Sequence, residues 1–416
     1  MAPMFRAFFS TIILVLSFAT PVGAGPIEDG EAAYVRGDYT TAMRLFRLAA
    51  DQGQARAQYN LGVMYDEGRG VPRNNAEAVK WFRLAADQGN ASAQHNLAVS
   101  YANGQGVPQN YAEAAKWYRK AADQRHAPAQ SNLGAMYADG RGIPQDYAEA
   151  VKWYRLAADQ GVAIAQHNLG ALYANGQGVP QNYAEAAKWY RKAADQGFAG
   201  AQNNLGLMYT DGRGVPQDHA EALKWFRKAA DQGIAIAQNH VGIRYASGQG
   251  VPQNDAEAVN WFRLAAGQGF ADAQHNVGLM HDKGRGVAQN DAEAAKWYRL
   301  AADQGFALAQ NNLGAMYDNG RGVPKNPAEA AKWFRKAADQ GHAEAQSNLG
   351  LMYAKGAGVE QDFVRAHLWF NLSAAQGNQG AAKNRDLAIQ RMTPAQIAEA
   401  QKLAREWKPT ITQPPR

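Results

Sequence analysis

Apolar and polar positions follow the period of a helix along this chain, and the pattern restarts every 36 residues. In residues 127–137, Ala129, Leu133, Met136 and Tyr137 fall at helical spacing and make one apolar face. Gly140-Arg141-Gly142-Ile143-Pro144 then breaks the helix, because glycine permits the left-handed residue that ends a helix and proline cannot continue one. A second helix is predicted to start near Asp146 and Tyr147. Ala150, Trp153, Tyr154, Ala157 and Ala158 form its apolar stripe, while Glu149, Lys152, Arg155 and Asp159 occupy the other side at spacings that suit ion pairing. Gly161 stops it, and its roughly 14 residues at 1.5 Å each give a length of about 20 Å.

The unit recurs without a slip. Trp81, Trp117, Trp153, Trp189, Trp225, Trp261, Trp297, Trp333 and Trp369 are each 36 residues apart, and residues 102–124 return letter for letter at 174–196. First helices are predicted to start at Ala55, Ala91, Ala127, Ala163, Ala199, Ala235, Ala271, Ala307 and Ala343. A two-helix unit cannot bury both its apolar faces alone, so the expected fold is all-α: an α/α solenoid of stacked helix-turn-helix units. The expected organisation is an export signal over 1–24, N-terminal capping helices over 26–54, nine repeats over 55–378, C-terminal capping helices over 379–407 and a flexible tail over 408–416. One row of small residues is glycine in every unit but one: Gly62, Ala98, Gly134, Gly170, Gly206, Gly242, Gly278, Gly314 and Gly350. Glycine there costs about 1 kcal/mol of helix propensity, and close helix approach is the expected return.

Composition alters this picture in three places. The chain of 416 residues is 46% hydrophobic and 19% charged with a net charge of +6, and no segment concentrates the positive charge, so nucleic acid is not implied. Cysteine is absent, which excludes disulfides, thiol catalysis and thiolate metal sites. Arg6, the apolar run 7–19 and the small residues Val22-Gly23-Ala24 read as a secretory signal cleaved near Ala24. The apolar run is shorter than the ~18 residues of a span, so no stable membrane span is expected after cleavage, and the protein is expected in the periplasm or outside the cell.

The residues able to do chemistry are read as structural. His95, His167 and His275 share one repeat position two or three units apart, too far to converge within the ~2.0–2.2 Å of a metal ion, and are expected to be exposed polar residues on a binding face. His126, His219, His240, His281, His342 and His367 are read as drift at unrelated positions. Glu113, Lys116, Arg119 and Asp123 recur nine times in similar form, which suits solvated ion-pair rows better than the individual environments of general acids and bases. Gly68-Arg69-Gly70-Val71-Pro72 follows a helix and lacks the Lys-Ser/Thr of a phosphate loop. The Trp-Tyr/Phe pairs lie on the apolar stripe and are expected in the core. No catalytic residue, cofactor or metal is expected.

Function is expected where the copies differ. In the first full unit Arg56, Tyr59, Val63 and Asp66 are spaced 3, 4 and 3, one line along a helix, and these positions vary between units. The partner-binding set is Arg56, Tyr59, Val63, His95, Val99, Ser131, His167, Asn203, Leu207, Asn239, Ile243, His275, Asn311 and Ser347. If first helices line a concave side, these residues form a groove of amides, imidazoles and small apolar groups suited to peptide segments or partner helices, with cell-wall glycan as the second reading. Asn60, Asn96, Asn132, Asn168, Asn204, Asn276, Asn312 and Asn348, interrupted by His240, form a steadier row read as hydrogen-bonders between units.

The pattern A-x-A-Q-x-N-L-G-x-M-Y, then G-x-G-V-P, then A-E-A-x-K-W-Y-R-x-A-A-D-Q-G resembles the Sel-one-like repeat, a relative of the tetratricopeptide repeat. Gly104, Gly106, Val107, Pro108, Ala114, Trp117, Ala121, Ala122, Leu133, Gly134 and Tyr137 fall on that family's signature positions, and the resemblance covers residues 26 to 407. It implies a right-handed superhelix of antiparallel helix pairs with first helices on the concave face, acting as a scaffold or adaptor for other proteins. Exported bacterial members are linked to envelope assembly, secretion and host contact. Cysteine-rich relatives are associated with penicillin binding, and the absence of cysteine here weakens a hydrolase reading of the penicillin-binding or β-lactamase-like kind.

Overall fold

The computed structural model describes residues 25–410, so the expected signal over 1–24 and the last part of the expected tail, 411–416, lie outside the described residues. The described residues form 22 α-helices and no strand. The chain divides into two compact units with the boundary between Gln217 and Asp218. In each, helices pair with their sequence neighbours in stacked antiparallel fashion, an α/α solenoid of 36-residue repeats.

The repeat Ala127–Asp139 with Tyr147–Asp159 shows how the sequence dictates the pair. Asp146 caps the second helix, its carboxylate accepting the Glu149 backbone N–H at 3.0 Å. Ala150, Trp153, Tyr154, Ala157 and Ala158 are all buried, as the stripe requires. The expected row of small residues is confirmed in its physical role: a Cβ on Gly134 would stand 2.9 Å from the Tyr154 ring, so the aromatic of the second helix lies directly on the first helix. Gly140 takes the left-handed cap at φ 69°, and Gly142 of the same loop leans on the preceding second helix, where a Cβ would be 2.3 Å from the Tyr111 carbonyl carbon.

Repeats are tied together by side-chain amides. Gln130 is buried, donates to the Ala122 carbonyl at 3.0 Å and accepts from Gln160 at 2.7 Å. The Ala122 carbonyl, in the last turn of the preceding helix, also accepts the Arg125 N–H at 2.9 Å, so the amide supplies the second bond that a carbonyl oxygen can take. The same pair recurs as Gln88 to Gln58, Gln124 to Gln94 and Gln196 to Gln166 in the first unit. In the second it is Gln268 to Gln238, Gln304 to Gln274, Gln340 to Gln310 and Gln376 to Gln346.

The ion-pair rows need a correction. Lys152 and Glu149 pair at 2.5 Å, as do Lys116 and Glu113 at 2.6 Å. Arg119 and Arg155 do not join them. Arg119 donates to the Tyr137 hydroxyl and lies 4.8 Å from the Trp153 ring centroid, and Arg155 does the same with Tyr173 and Trp189. A planar guanidinium can donate to the hydroxyl and stack on the rings at once, which the next repeat offers it here.

The ends differ from the interior. At the start, buried Glu31 holds Arg56 at 2.5 Å and Asn60 at 3.2 Å. At the finish, Thr393 and Gln396 form a reciprocal capping box that opens the helix Pro394–Glu406. Residues 408–410 are not free: Trp407 meets the Trp369 ring edge-on at 6.2 Å, and the Thr410 N–H donates to the Asp339 carbonyl at 2.7 Å.

Candidate functional site: the first-helix faces

The residues expected to line a groove divide into two groups. His167, Ser131, Asn203 and Val63 in the first unit, and Asn239 and Asn311 in the second, are buried. Arg56, Tyr59, His95, Val99 and Leu207 in the first unit and His275 and Ser347 in the second are half-buried, and Ile243 is exposed. The expectation that His95, His167 and His275 stand exposed is therefore corrected. His167 retains 5% of its surface and packs between the rings of Tyr190 and Phe198, at 5.4 and 5.0 Å.

The physical reason is the Asn row. Asn132 reaches the ring of His95 in the preceding repeat at 3.1 Å, and in the second unit Asn312 reaches His275 at 3.2 Å. Asn276 donates to Asn239 at 2.9 Å and Asn348 to Asn311 at 3.0 Å. At His95, Asn239, His275 and Asn311 the variable position is thus held inside the stack by the asparagine of the following repeat, which asks only for a side chain able to accept an N–H. Burial makes the histidines weak bases. It holds His95 and His167 down to about 4, with His126 adding to the effect on His95, and pushes the Tyr59 hydroxyl up to about 12 against the relief given by Asn96 and Ser92. Two of the histidines read as drift share a role: His126 and His342 each cap a first helix, accepting the N–H of Ala129 at 3.3 Å and of Ala345 at 3.2 Å. Among the described residues no group of three or more His, Asp or Glu is arranged to hold a metal ion, and no helix is long and apolar enough to cross a membrane.

What the first helices leave open lies at other places on the same line. In the second unit Ile236 and Ile243, seven residues apart on one helix, are 41% and 37% exposed, and Leu308 on another first helix is 44% exposed. Ile236 and Leu308 stand at the repeat position of Arg56, which the sequence reading assigned only in the first unit. Between and after them the same position carries the exposed acids Asp272 and Glu344. The pattern of large apolar residues and acids at a position required by neither stacking nor turns was the signal available in the sequence.

The second helices also expose leucines, Leu84 and Leu156 in the first unit and Leu264 and Leu300 in the second. That position accepts lysine as readily. Lys120 and Lys192 place their ammonium groups 3.9 and 4.1 Å from the Trp117 and Trp189 ring centroids, a cation-π contact that the leucines at the same position cannot make. A position indifferent to charge is a poor reader of partners.

A model of the Sel1 repeat matches the chain at residues 25–54, 55–90, 91–126, 127–162, 163–198, 199–234, 235–270, 271–306, 307–342 and 343–378. The first match falls on the segment read from the sequence as an N-terminal cap. Among solved structures the chain is similar to c5321, a protective antigen present in uropathogenic Escherichia coli strains displaying an SLR fold. The two are 36% identical over 92% of this chain and 91% of that one, with a TM-score of 0.62. A Sel1 repeat protein from Oxalobacter formigenes is 37% identical over 73% of this chain and 88% of its own, with a TM-score of 0.59. The chain is also similar to DAP3-binding cell death enhancer 1 of Rattus norvegicus, 51% identical over 43 residues, which is 10% of this chain and 8% of that protein. The chain thus spans less than a tenth of the length of the curated relatives it matches.

Proposed function

The chain belongs to the Sel1 repeat family, a fold of protein-interaction scaffolds, and we propose that it is an exported, non-enzymatic scaffold that captures a segment of a partner protein on its first-helix faces. The observation that carries the reading is the exposure of Ile236, Ile243 and Leu308 on helices whose other large apolar side chains are buried or half-buried. The partner segment is amphipathic. Its apolar side chains seat on these three residues, and its basic side chains meet Asp272 and Glu344. Export rests on the composition of residues 1–24, and the similarity to a protective antigen supports a protein that antibodies can reach.

Affinity capture from the envelope and medium of the native host tests both parts. A protein partner should be retained by the wild type and lost when Ile236, Ile243 and Leu308 are all changed to glutamate. It should be kept when Leu84, Leu264 and Leu300 are changed instead. Equal loss in both triple variants would sink the assignment to first helices, and recovery of purified glycan in place of a protein would replace it with the carbohydrate reading. Amino-terminal sequencing of the fractionated protein reads the export signal directly: an intact Met1 in the cytoplasmic fraction would end that part.

A further inference from the structure

At the carboxy-terminal end the repetition breaks in a particular way. His367 stands in the last second helix where the other repeats carry Val79, Ala115, Val151, Ala187, Leu223, Val259, Ala295 and Ala331, all buried and apolar. In the helix Gln379–Ile389 that follows, Arg385 and Asp386 take the places of the buried Leu349 and Gly350. A terminal repeat needs a polar outer face, and this explains Arg385 and Asp386, which keep 31% and 64% of their side-chain surface. It does not explain His367, which is 2% exposed. Its ring nitrogen Nδ1 is buried without a hydrogen-bond partner. Such a group costs about 1–3 kcal/mol unless something satisfies it.

His367 lines a cavity of about 410 Å³ together with Asn371, Arg385, Asp386, Gln401 and Arg405. Arg385 donates from Nε and Nη2 to a single oxygen of Asp386, at 3.0 and 2.9 Å, and makes a long 3.4 Å contact from Nη1 to Asn371. Arg405 forms no ion pair among the described residues, its neighbour Glu406 being turned toward Lys402. Two guanidinium groups against one carboxylate leave the cavity with one surplus positive charge. Burial and the nearby Arg385 hold the His367 imidazole below its ordinary pKa, against a smaller opposing effect of Asp386, so at neutral pH the ring adds hydrogen-bonding capacity and no charge.

We propose that this cavity binds a single carboxylate borne by a peptide, with the Arg405 and Arg385 guanidinium groups facing its oxygens and His367, Asn371 and Gln401 fixing its orientation. The planar fork of arginine matches a carboxylate in two parallel hydrogen bonds, and one surplus charge suits a monoanion better than a phosphate dianion. The volume admits a residue or two beyond the carboxylate itself. The site is separate from the first-helix faces and stands or falls independently of them.

The test follows the His367 ring resonances of the full chain by NMR during titration with four probes: N-acetyl-alanyl-alanine, its C-terminal amide, N-acetylglutamic acid α-amide, and inorganic phosphate. The free dipeptide or the glutamate derivative should shift the ring. The stronger of the two identifies a chain terminus or an acidic side chain as the source, and amidating the dipeptide should weaken its binding about tenfold if the terminus is the source. Arg405→Gln should weaken the preferred probe about tenfold, since the residue is exposed and its loss leaves the fold intact. His367→Val restores the residue type of the other repeats, should fold at least as stably, and should still lose affinity, read by calorimetry. No response to either carboxylate, equal binding of the preferred carboxylate probe by Arg405→Gln and wild type, or tighter binding of phosphate than of both carboxylates would overturn the proposal.

Discussion

The side-chain amide nitrogen of Asn132 lies 3.1 Å from Nε2 of His95, one repeat earlier in the chain. An amide nitrogen only donates, so Nε2 is the acceptor and the imidazole proton sits on Nδ1, which in turn faces the side-chain oxygen Oδ1 of Asn96 at 3.2 Å. The neutral ring is therefore a fixed tautomer joining two asparagines. A second proton would remove the acceptor.

This predicts a definite pH dependence. The folded state holds His95 down to about 4, chiefly by burial, whereas the unfolded chain titrates at the ordinary 6.5. The unfolded state then binds more protons between these values, so the contribution of His95 is complete above pH 6.5 and is lost as the pH falls toward 4. The loss should be on the order of 2 kcal/mol for His95. Melting temperatures at pH 7 and pH 4.5 should differ less in His95→Asn, which places at this position the residue that accepts the same bond at Asn239 and Asn311. An unchanged pH difference would show that the ring is not the titrating element.

Two glycines of the repeat should respond unequally to alanine. Gly106 has φ 73°, and a Cβ there would lie 2.2 Å from the Asn75 carbonyl oxygen, a backbone atom that cannot turn aside. Gly106→Ala should cost about 2 kcal/mol or more. The atoms nearest a Cβ on Gly134 belong to the Tyr154 ring, a side chain that can turn aside, and Ala98 already occupies the corresponding place in another repeat. Gly134→Ala should be close to neutral, the gain of about 1 kcal/mol in helix propensity offsetting a small displacement of the ring. Amide exchange in the helices that flank each site measures the difference locally, which suits an array whose unfolding need not be two-state.

Arg125 is the sole non-glycine residue with positive φ among the described residues, at 65°. Gly53, Gly89, Gly161, Gly197, Gly233, Gly269 and Gly377 hold this place in other repeats, with nothing near the missing Cβ. The strain at Arg125 is thus a matter of backbone conformation alone. Arg125→Gly should stabilise the protein by about 0.5–1 kcal/mol, less than the full left-handed penalty because glycine also loosens the unfolded chain. A fall in the chemical denaturation midpoint would refute it.

The repeat period, the helix starts, the stripe through Trp153 and the role of Gly134 were legible because stacking imposes the same demands on every copy. The binding face was read less well. Variation at His95, His167 and Asn203 points to solvent exposure, since polar residues that differ between copies are ordinarily surface residues. At His95 and His275 the constancy lies in the partner, Asn132 and Asn312, 37 residues on. Pairing each variable polar position with a constant one would have exposed the ladder. Arg155 was misplaced for a related reason: helical spacing puts it beside Asp159, and only the next repeat supplies the Tyr173 hydroxyl that binds it. Ile236 and Leu308 were passed over because Arg56 spoke for its position, although Arg56 is engaged by Glu31 of the terminal helix.

The glutamine pairs carry a consequence for how the chain reaches this state. Gln88 to Gln58 and Gln376 to Gln346 both close a loop of 30 residues, although they stand near opposite ends of the sequence. The entropy of closing such a loop is the same wherever it forms, so adding a repeat adds bonds without lengthening any of them. Mean sequence separation relative to chain length therefore falls as the array grows, and folding can begin at several repeats at once and spread to their neighbours. Duplication of a block, as in residues 102–124 and 174–196, can extend such a protein without slowing its assembly.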